Sequence, residues 1–210
     1  MKKIFSIFVF LCAAWMSVQA ERVVLGAEQT KQYLPLLKGK RVALLSNHTG
    51  IVIQDKGERL KAKGDTIHTL DLLLKNGVNV TAIFSPEHGF RGTAREGELV
   101  ASSIDEKTGI PILSLYDGKS KRPSKEAMAT FDILITDIQD VGLRFYTYYV
   151  TMLRLMDVCA QEGKQFMVFD RPNPNGYYVD GPILDMKHKS GVGGLPIPVV
   201  HGMTLGELAQ

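Results

Sequence analysis

Short apolar runs alternate with segments of helical periodicity along this chain. Five of the runs are rich in aliphatic and β-branched residues and end at polar or proline-containing stretches, which is typical of buried strands. They are residues 41–46, 78–84, 112–115, 131–136 and 165–169. Strands that alternate with helices favour an α/β fold, with a mainly parallel sheet covered by helices on both faces.

Three segments between and after these runs predict helices. Residues 66–76 carry apolar side chains at helical spacing, and Gly77 ends the segment. Residues 147–162 form a longer segment that ends at Gly163, and a brief helix starts at Ser124, a good N-cap residue. The connections in a parallel sheet are right-handed, so the carboxyl ends of all the parallel strands meet at one edge.

The two ends of the sequence have different characters. Lys2 and Lys3, the apolar residues 4–15 and a small-residue site ending at Ala20 predict a signal peptide over residues 1–20. The apolar run is too short for a stable membrane anchor, so we expect secretion to the periplasm. Residues 21–200 are the predicted catalytic domain. Residues 199–203 resemble the end of a strand, and Thr204 begins a helix, so residues 201–210 are expected to start a truncated C-terminal region.

The charge balance excludes several classes of partner. The chain has 25 basic and 22 acidic residues, and without Lys2 and Lys3 the balance is 23 to 22. A nearly neutral domain lacks the basic surface that binds nucleic acid or anionic lipid. The turn after the first strand also lacks the glycine spacing of a dinucleotide site, so no nucleotide cofactor is expected.

Polar residues follow four of the predicted strands, and the sheet topology brings these four groups to one edge. The groups are Asn47 and His48; Glu87, His88 and Arg91; Asp137, Asp140 and Arg144; and Asp170, Arg171 and Asn173. Ligands of open α/β sheets bind at this edge. Tyr146 lies close enough to it in sequence to stack on a sugar.

Acid/base chemistry on a sugar fits these residue types. Glycoside hydrolysis needs a carboxyl group that protonates the glycosidic oxygen and a second group at the anomeric centre. Glu87 is the candidate general acid, and Asp137, Asp140 or Asp170 can supply the second charge. Arg91 or Arg144 can bind a substrate carboxylate in bidentate fashion.

Other chemistries are less well matched. No G-x-S-x-G elbow is present for a serine nucleophile. His48, His88 and Asp137 offer metal-ligating atoms, but no pair has the close spacing of a metal motif. A metal-dependent hydrolase that uses these three residues is therefore an alternative, and a non-catalytic muropeptide-binding module is another.

Five strings of the sequence resemble those of the bacterial exo-β-N-acetylmuramidase family. They are SNHTG (46–50), SPEHGFRG (85–92), DIQDVG with RFYTY (137–142 and 144–148), DRPNP (170–174) and VHGMT (200–204). The resemblance implies a Rossmann-like domain followed by a smaller C-terminal domain, with the active site between them. It also implies release of N-acetylmuramic acid from the non-reducing end of peptidoglycan fragments without a nucleotide cofactor. The family's leading catalytic candidate falls on Glu87.

We therefore expect an exo-acting glycosidase with Glu87 as general acid and Asp137 or Asp140 as the assisting carboxylate. The expected partners are muramyl saccharides derived from peptidoglycan. The residues expected to bind them are Asn47, His48, His88, Arg91, Arg144, Tyr146, Asp170, Arg171 and Asn173.

Overall fold

A sheet of six strands organises the computed structural model, which describes residues 23–53, 66–90, 101–115 and 121–210. The strands within these ranges are β1 (Arg41–Ser46), β2 (Ile51–Ile53), β3 (Thr66–His68), β4 (Asn79–Ser85), β5 (Ser103–Ile104), β6 (Pro111–Ser114), β7 (Ile133–Asp137) and β8 (Gln165–Val168). The helices are α1 (Thr30–Leu37), α2 (Thr69–Lys75), α3 (Lys125–Met128), α4 (Tyr148–Gln161) and α5 (Leu205–Leu208), with short 3-10 turns at Gly26–Glu28 and Met186–His188.

The strand order is β5-β6-β4-β1-β7-β8, and all pairs are parallel except the edge pair β5–β6. From β1 the chain moves outward through β4 and β6, then returns to the other side of β1 for β7 and β8. This reversal beside β1 is the switch point at which doubly wound sheets bind their ligands. The predicted mainly parallel, Rossmann-like α/β architecture is therefore confirmed, with an antiparallel edge strand added.

Alternate residues of β1 pack in two separate hydrophobic cores, one on each face of the sheet. In β1, Val42 and Leu44 pack in the core that includes residues of α1 and α2, while Ala43 and Leu45 pack in the core on the α4 side. Because side chains alternate across a strand, a strand covered on both faces is apolar at every position. The continuous apolar runs in the sequence are therefore the pattern expected for a sheet that is covered by helices on both faces.

Several element boundaries match the sequence prediction closely. The first strand has the predicted bounds, and the long helix spans Tyr148–Gln161. Ser124 caps α3 by accepting a hydrogen bond from Ala127 N at 3.2 Å. Thr204 and Glu207 form the reciprocal capping box expected at the start of α5.

Two predictions of local structure are wrong, and one helix was not predicted. Residues 66–68 form strand β3, which pairs with β2, and only the rest of the predicted helix is helical. Residues 199–203 contain no strand, because Val200 makes only isolated bridges to Leu143 and Asp180. Helix α1 was not predicted; it contains Pro35, which disfavours a helix, and it is anchored by burial of Tyr33 and Leu37.

The predicted domain limits at residues 20 and 200 stay predictions. Leu205 and Leu208 pack in the core on the α4 side. The predicted signal peptide lies outside the described residues. Among the helices that the structure describes, none has both the length and the apolar character needed to cross a membrane.

Candidate functional site

The loops that follow β1 and β7 are tied together at the carboxyl edge of the sheet. Ser46 and Asp137, the last residues of these strands, are register partners, and Ser46 Oγ donates to Asp137 O at 2.8 Å. One residue past Asn47 and His48, Thr49 accepts a hydrogen bond at Oγ1 from Gln139 N at 3.0 Å. The predicted convergence of the β1 and β7 loops is therefore present at the switch point.

Glu87 lies in a tight turn directly after β4. Gly89 N donates to Pro86 O at 3.1 Å, which places Glu87 and His88 at the two central positions of the turn. His88 has φ +70°, a left-handed conformation that non-glycine residues rarely adopt. Glu87 is half-buried, and its Oε2 accepts a hydrogen bond from Thr147 Oγ1 at 3.0 Å. The β4 turn is thus connected to the start of α4.

A pair of tyrosines lies beside Glu87. The rings of Tyr146 and Tyr148 pack edge to face with centroids 4.8 Å apart. Burial is the main cause that raises the pKa of both hydroxyls; the charge of Asp140 adds to the effect at Tyr146, and the charge of Glu87 adds to it at Tyr148. The charges of Glu87 and Asp140 therefore both act on this aromatic pair.

Asp140 is a second carboxyl group at this edge of the sheet, and it lies outside the Asp137–Arg171 ion pair. Its side chain is buried, and Oδ1 accepts a hydrogen bond from Gly142 N at 2.8 Å. Oδ2 has no hydrogen-bond partner among the described residues. Burial raises the pKa of Asp140 from 3.8 to about 6, against the opposing effect of backbone hydrogen bonds. This carboxyl group therefore becomes charged at a higher pH than an exposed aspartate does.

Asp137 has a different environment, although it stands only three residues earlier. Arg171 Nε lies 2.5 Å from Oδ1 and its Nη2 lies 3.0 Å from Oδ2, with both side chains buried. The Thr69 hydroxyl also donates to Oδ2, and Arg171 Nη2 donates to Ile51 O at 3.0 Å. Asp137 and Arg171 thus hold the loops of the switch point together. This geometry gives no support to the catalytic role predicted for Asp137 or the substrate-binding role predicted for Arg171.

Asp170 and Asn173 also bind the protein's own backbone. Asp170 accepts from Thr204 Oγ1 at 2.7 Å and from Gly206 N at 2.8 Å, at the start of α5. Asn173 Nδ2 donates to Met203 O at 2.9 Å. Both side chains fix the last residues of the chain against the β8 loop, so their predicted role in binding substrate is not supported by their contacts.

Arg144 is the fourth predicted binding residue with internal partners. Its Nη1 donates to Pro182 O and to Ile197 O, both at 2.7 Å. These backbone carbonyls bind the guanidinium that we expected to bind a substrate carboxylate. The long irregular segment between β8 and α5 is held to the β7 loop in this way.

The remaining predicted residues lie in distinct settings. Asn47 is fully buried, and its Oδ1 accepts from Thr49 N at 2.9 Å and from Thr49 Oγ1 at 2.6 Å. Burial raises the pKa of Tyr148, and hydrogen bonding with Asn47 lowers it by a smaller amount. Asn47 therefore lies next to this tyrosine. His48 is exposed, and His88 is half-buried. Arg91 lies outside the described residues.

The metal-dependent alternative is not supported by the placement of its ligands. Within the described ranges, no group of three or more histidine, cysteine or acidic side chains is arranged to hold a metal ion. His48, His88 and Asp137 therefore do not converge. Both carboxylate oxygens of Asp137 are, in addition, hydrogen-bonded to Arg171.

Two residues at this site were missed by sequence reasoning. Thr147 and Tyr148 stand at the predicted helix start, where a threonine ordinarily caps its own helix and a tyrosine is expected in the core. The contact of Thr147 with Glu87 joins residues 60 positions apart, so no local pattern predicts it.

Comparisons with known proteins point to one family. Residues 42–210 match the family described as exo-beta-N-acetylmuramidase NamZ, N-terminal. The chain is 49% identical over 180 residues to the peptidoglycan beta-N-acetylmuramidase NamZ of Bacillus subtilis (strain 168), an alignment that covers 85% of this chain and 41% of that protein.

Solved structures give the same result for the fold. A crystal structure of a DUF1343 family protein from Bacteroides fragilis NCTC 9343 is 60% identical with a TM-score of 0.73, and covers 90% of this chain and 46% of its own. A second DUF1343 protein from that organism is 38% identical with the same TM-score, over 88% of this chain and 44% of its own. The chain thus spans less than half the length of each of these relatives.

Proposed function

Because the chain belongs to the family of the NamZ N-terminal domain, we propose that it acts in an exo-β-N-acetylmuramidase, a glycoside hydrolase. The reaction is release of N-acetylmuramic acid from the non-reducing end of peptidoglycan fragments. The relative of 49% identity carries the name of a peptidoglycan beta-N-acetylmuramidase, which supports the substrate class. The substrates are then muramyl saccharides derived from peptidoglycan.

Glu87 is the proposed general acid, and the single observation that carries this role is its setting. The carboxyl group is half-buried at the ligand-binding edge of the sheet, and it is held through Oε2 by Thr147 beside two aromatic rings. A general acid must be held within hydrogen-bond reach of the leaving-group oxygen. Tyr146, which is partly exposed and packs against Tyr148, offers an aromatic surface for the apolar face of a sugar ring.

Asp140 is the proposed assisting carboxylate, in preference to Asp137. Asp137 is neutralised by Arg171, whereas Asp140 faces no such partner among the described residues. Because Asp140 is only 4% exposed, it is poorly placed to attack the sugar as a nucleophile. We assign it an electrostatic role, in which its negative charge stabilises the oxocarbenium-like centre of the transition state.

The lactyl carboxylate of the muramyl sugar needs a cationic partner. Arg144 donates from Nη1 to two backbone carbonyls, and Arg171 is paired with Asp137. We therefore propose Arg91 of the SPEHGFRG string for this contact, since a guanidinium matches a carboxylate in bidentate geometry. Peptidoglycan lies outside the cytoplasmic membrane, which is consistent with the proposed export through residues 1–20 to the periplasm.

The experiment is turnover of a chromogenic β-N-acetylmuramide by the purified protein and its Glu87→Gln variant. Loss of a general acid lowers kcat by about 10²–10⁴-fold. Glu162→Gln is the matched control, because Glu162 is exposed and lies at the far end of α4. Equal turnover by wild type and Glu87→Gln would refute the role of Glu87. Binding of muropeptides by calorimetry with no turnover would instead establish a binding module.

A further inference from the structure

We propose that Thr147 is a positioning residue that orients the Glu87 carboxyl group for proton transfer. Thr147 Oγ1 donates to Glu87 Oε2 at 3.0 Å, and both residues are half-buried. The inference rests on the proposed function of Glu87 as general acid and deepens it, since it names the residue that sets which carboxylate oxygen is free.

Thr147 occupies a position at which threonine normally has another task. It precedes α4 as the N-cap residue, yet its side chain makes no capping hydrogen bond to that helix. N-cap threonine hydroxyls usually accept from a backbone N–H in the first turn. Here the hydroxyl instead donates to Glu87 on another loop, so it is available to orient that side chain.

Buried side chains of α4 hold Thr147 in place. The residues that follow Thr147, Tyr148 and Tyr149, are 4% and 0% exposed, and Met152 and Leu155 of the same helix are fully buried. Side chains packed in a core are held in single rotamers. A hydroxyl at the end of such a helix therefore fixes the position of its acceptor better than a partner on a mobile loop does.

Holding one oxygen distinguishes the two oxygens of Glu87. Oε2 is the acceptor of Thr147, and within the described residues Oε1 has no assigned hydrogen bond. In the protonated acid the Oε1–H bond breaks, the proton moves to the glycosidic oxygen, and the electron pair stays on the carboxylate. The hydrogen bond from Thr147 to Oε2 then stabilises the negative charge that forms.

The test compares Thr147→Val with Thr147→Ser. Valine has nearly the shape of threonine without the hydroxyl, and serine keeps the donor. For a positioning residue, Thr147→Val lowers kcat about 10-fold or more with KM within about 2-fold, because the lost interaction acts in the transition state. Thr147→Ser restores kcat to within about 3-fold of wild type. Thr130→Val is the control for loss of a threonine hydroxyl outside the site, because Thr130 precedes the amino end of β7 and its Oγ1 donates to Ala127 O at 2.7 Å.

Crystal structures of the wild type and of Thr147→Val give a second readout that is independent of turnover. We expect one orientation of the Glu87 carboxyl group in the wild type and an altered or split orientation in Thr147→Val. An unchanged carboxyl group, or equal kcat values for the valine and serine variants, overturns the proposal. A wild type without turnover refutes the proposed function instead, while the structures still decide whether Thr147 orients Glu87.

Discussion

Arg171 contacts both carboxylate oxygens of Asp137 in a buried pair, at 2.5 Å from Nε to Oδ1 and 3.0 Å from Nη2 to Oδ2. The pair joins the end of β7 to the loop after β8, and Arg171 Nη2 also reaches Ile51 O beyond β1. The ion pair therefore fixes three segments at the carboxyl edge of the sheet relative to one another. Asp137 thus has a structural role, whereas Asp140 has no cationic partner among the described residues.

Arg171→Met should strongly destabilise the fold. The change leaves Asp137 charged and buried without its partner, which costs about 3–5 kcal/mol. The measurement is the free energy of unfolding from urea denaturation. Arg122→Met is the matched control, because the Arg122–Asp157 pair has a similar 2.5 Å contact with side chains 51% and 50% exposed. An exposed pair contributes about 1 kcal/mol at most. Equal losses for the two variants would contradict a structural role for the buried pair.

Asp140 should make the stability of the protein depend on pH in a defined window. The ordinary pKa of an aspartate is 3.8, and burial, which disfavours the charged form, raises the pKa of Asp140 to about 6 in the folded protein. Below the lower value both states are protonated, and stability falls as pH rises from about 4 to about 6, because only the unfolded state releases the proton. The whole effect is of the order of 3 kcal/mol.

The variant that isolates this effect is Asp140→Asn. Asparagine keeps an oxygen that accepts from Gly142 N but cannot ionise, and all other titrating groups are common to both proteins. The unfolding free energy of Asp140→Asn minus that of the wild type should grow with pH between about 4 and 6 and then stay constant. A difference that does not change with pH would show that Asp140 titrates alike in the folded and unfolded states.

The sequence predicted those parts of the fold that depend on local pattern. The apolar run of β1 and the caps at Ser124 and Thr204 are set by neighbouring residues, and each was placed correctly. Strand β3 was taken for the start of a helix because its three residues acquire a strand conformation only through pairing with β2. Such pairing joins segments that are distant in sequence, and the hydrophobic periodicity within one segment does not predict it.

The candidate site was predicted less completely than the fold. Parallel topology was enough to bring Asn47, Glu87 and Asp137 to one edge. It did not reveal which ionisable groups neutralise one another, because the partner of Asp137 is 34 residues away. The hydrogen bond from Thr147 to Glu87 was missed for the same reason. Residue type and strand position predict where a site lies, whereas the role of each side chain depends on contacts between loops.

His88 should be replaceable by glycine at a lower cost than by alanine. Both changes remove the imidazole, so the difference between them reports the backbone at φ +70°. Glycine adopts this conformation freely, whereas alanine is strained there. We expect His88→Gly to be more stable than His88→Ala by about 0.5–1 kcal/mol in urea denaturation, after the greater unfolded-state entropy of glycine is included. An alanine variant of equal or higher stability would mean that the turn relaxes to another conformation.

Gly142 should tolerate alanine less well than Gly163 does. Both have positive φ, +74° and +62°, but a Cβ at Gly142 would lie 2.3 Å from Asn173 Nδ2, and one at Gly163 would meet no atom within 4 Å. Gly163→Ala therefore measures the backbone strain alone, about 1 kcal/mol. Gly142→Ala adds a clash that displaces Asn173 from Met203 O, and it should lose at least twice as much unfolding free energy. Because Gly142 N also holds Asp140 Oδ1, the same variant should reduce turnover of the muramide substrate. Equal stability losses for the two alanine variants would show that the β8 loop moves aside without cost.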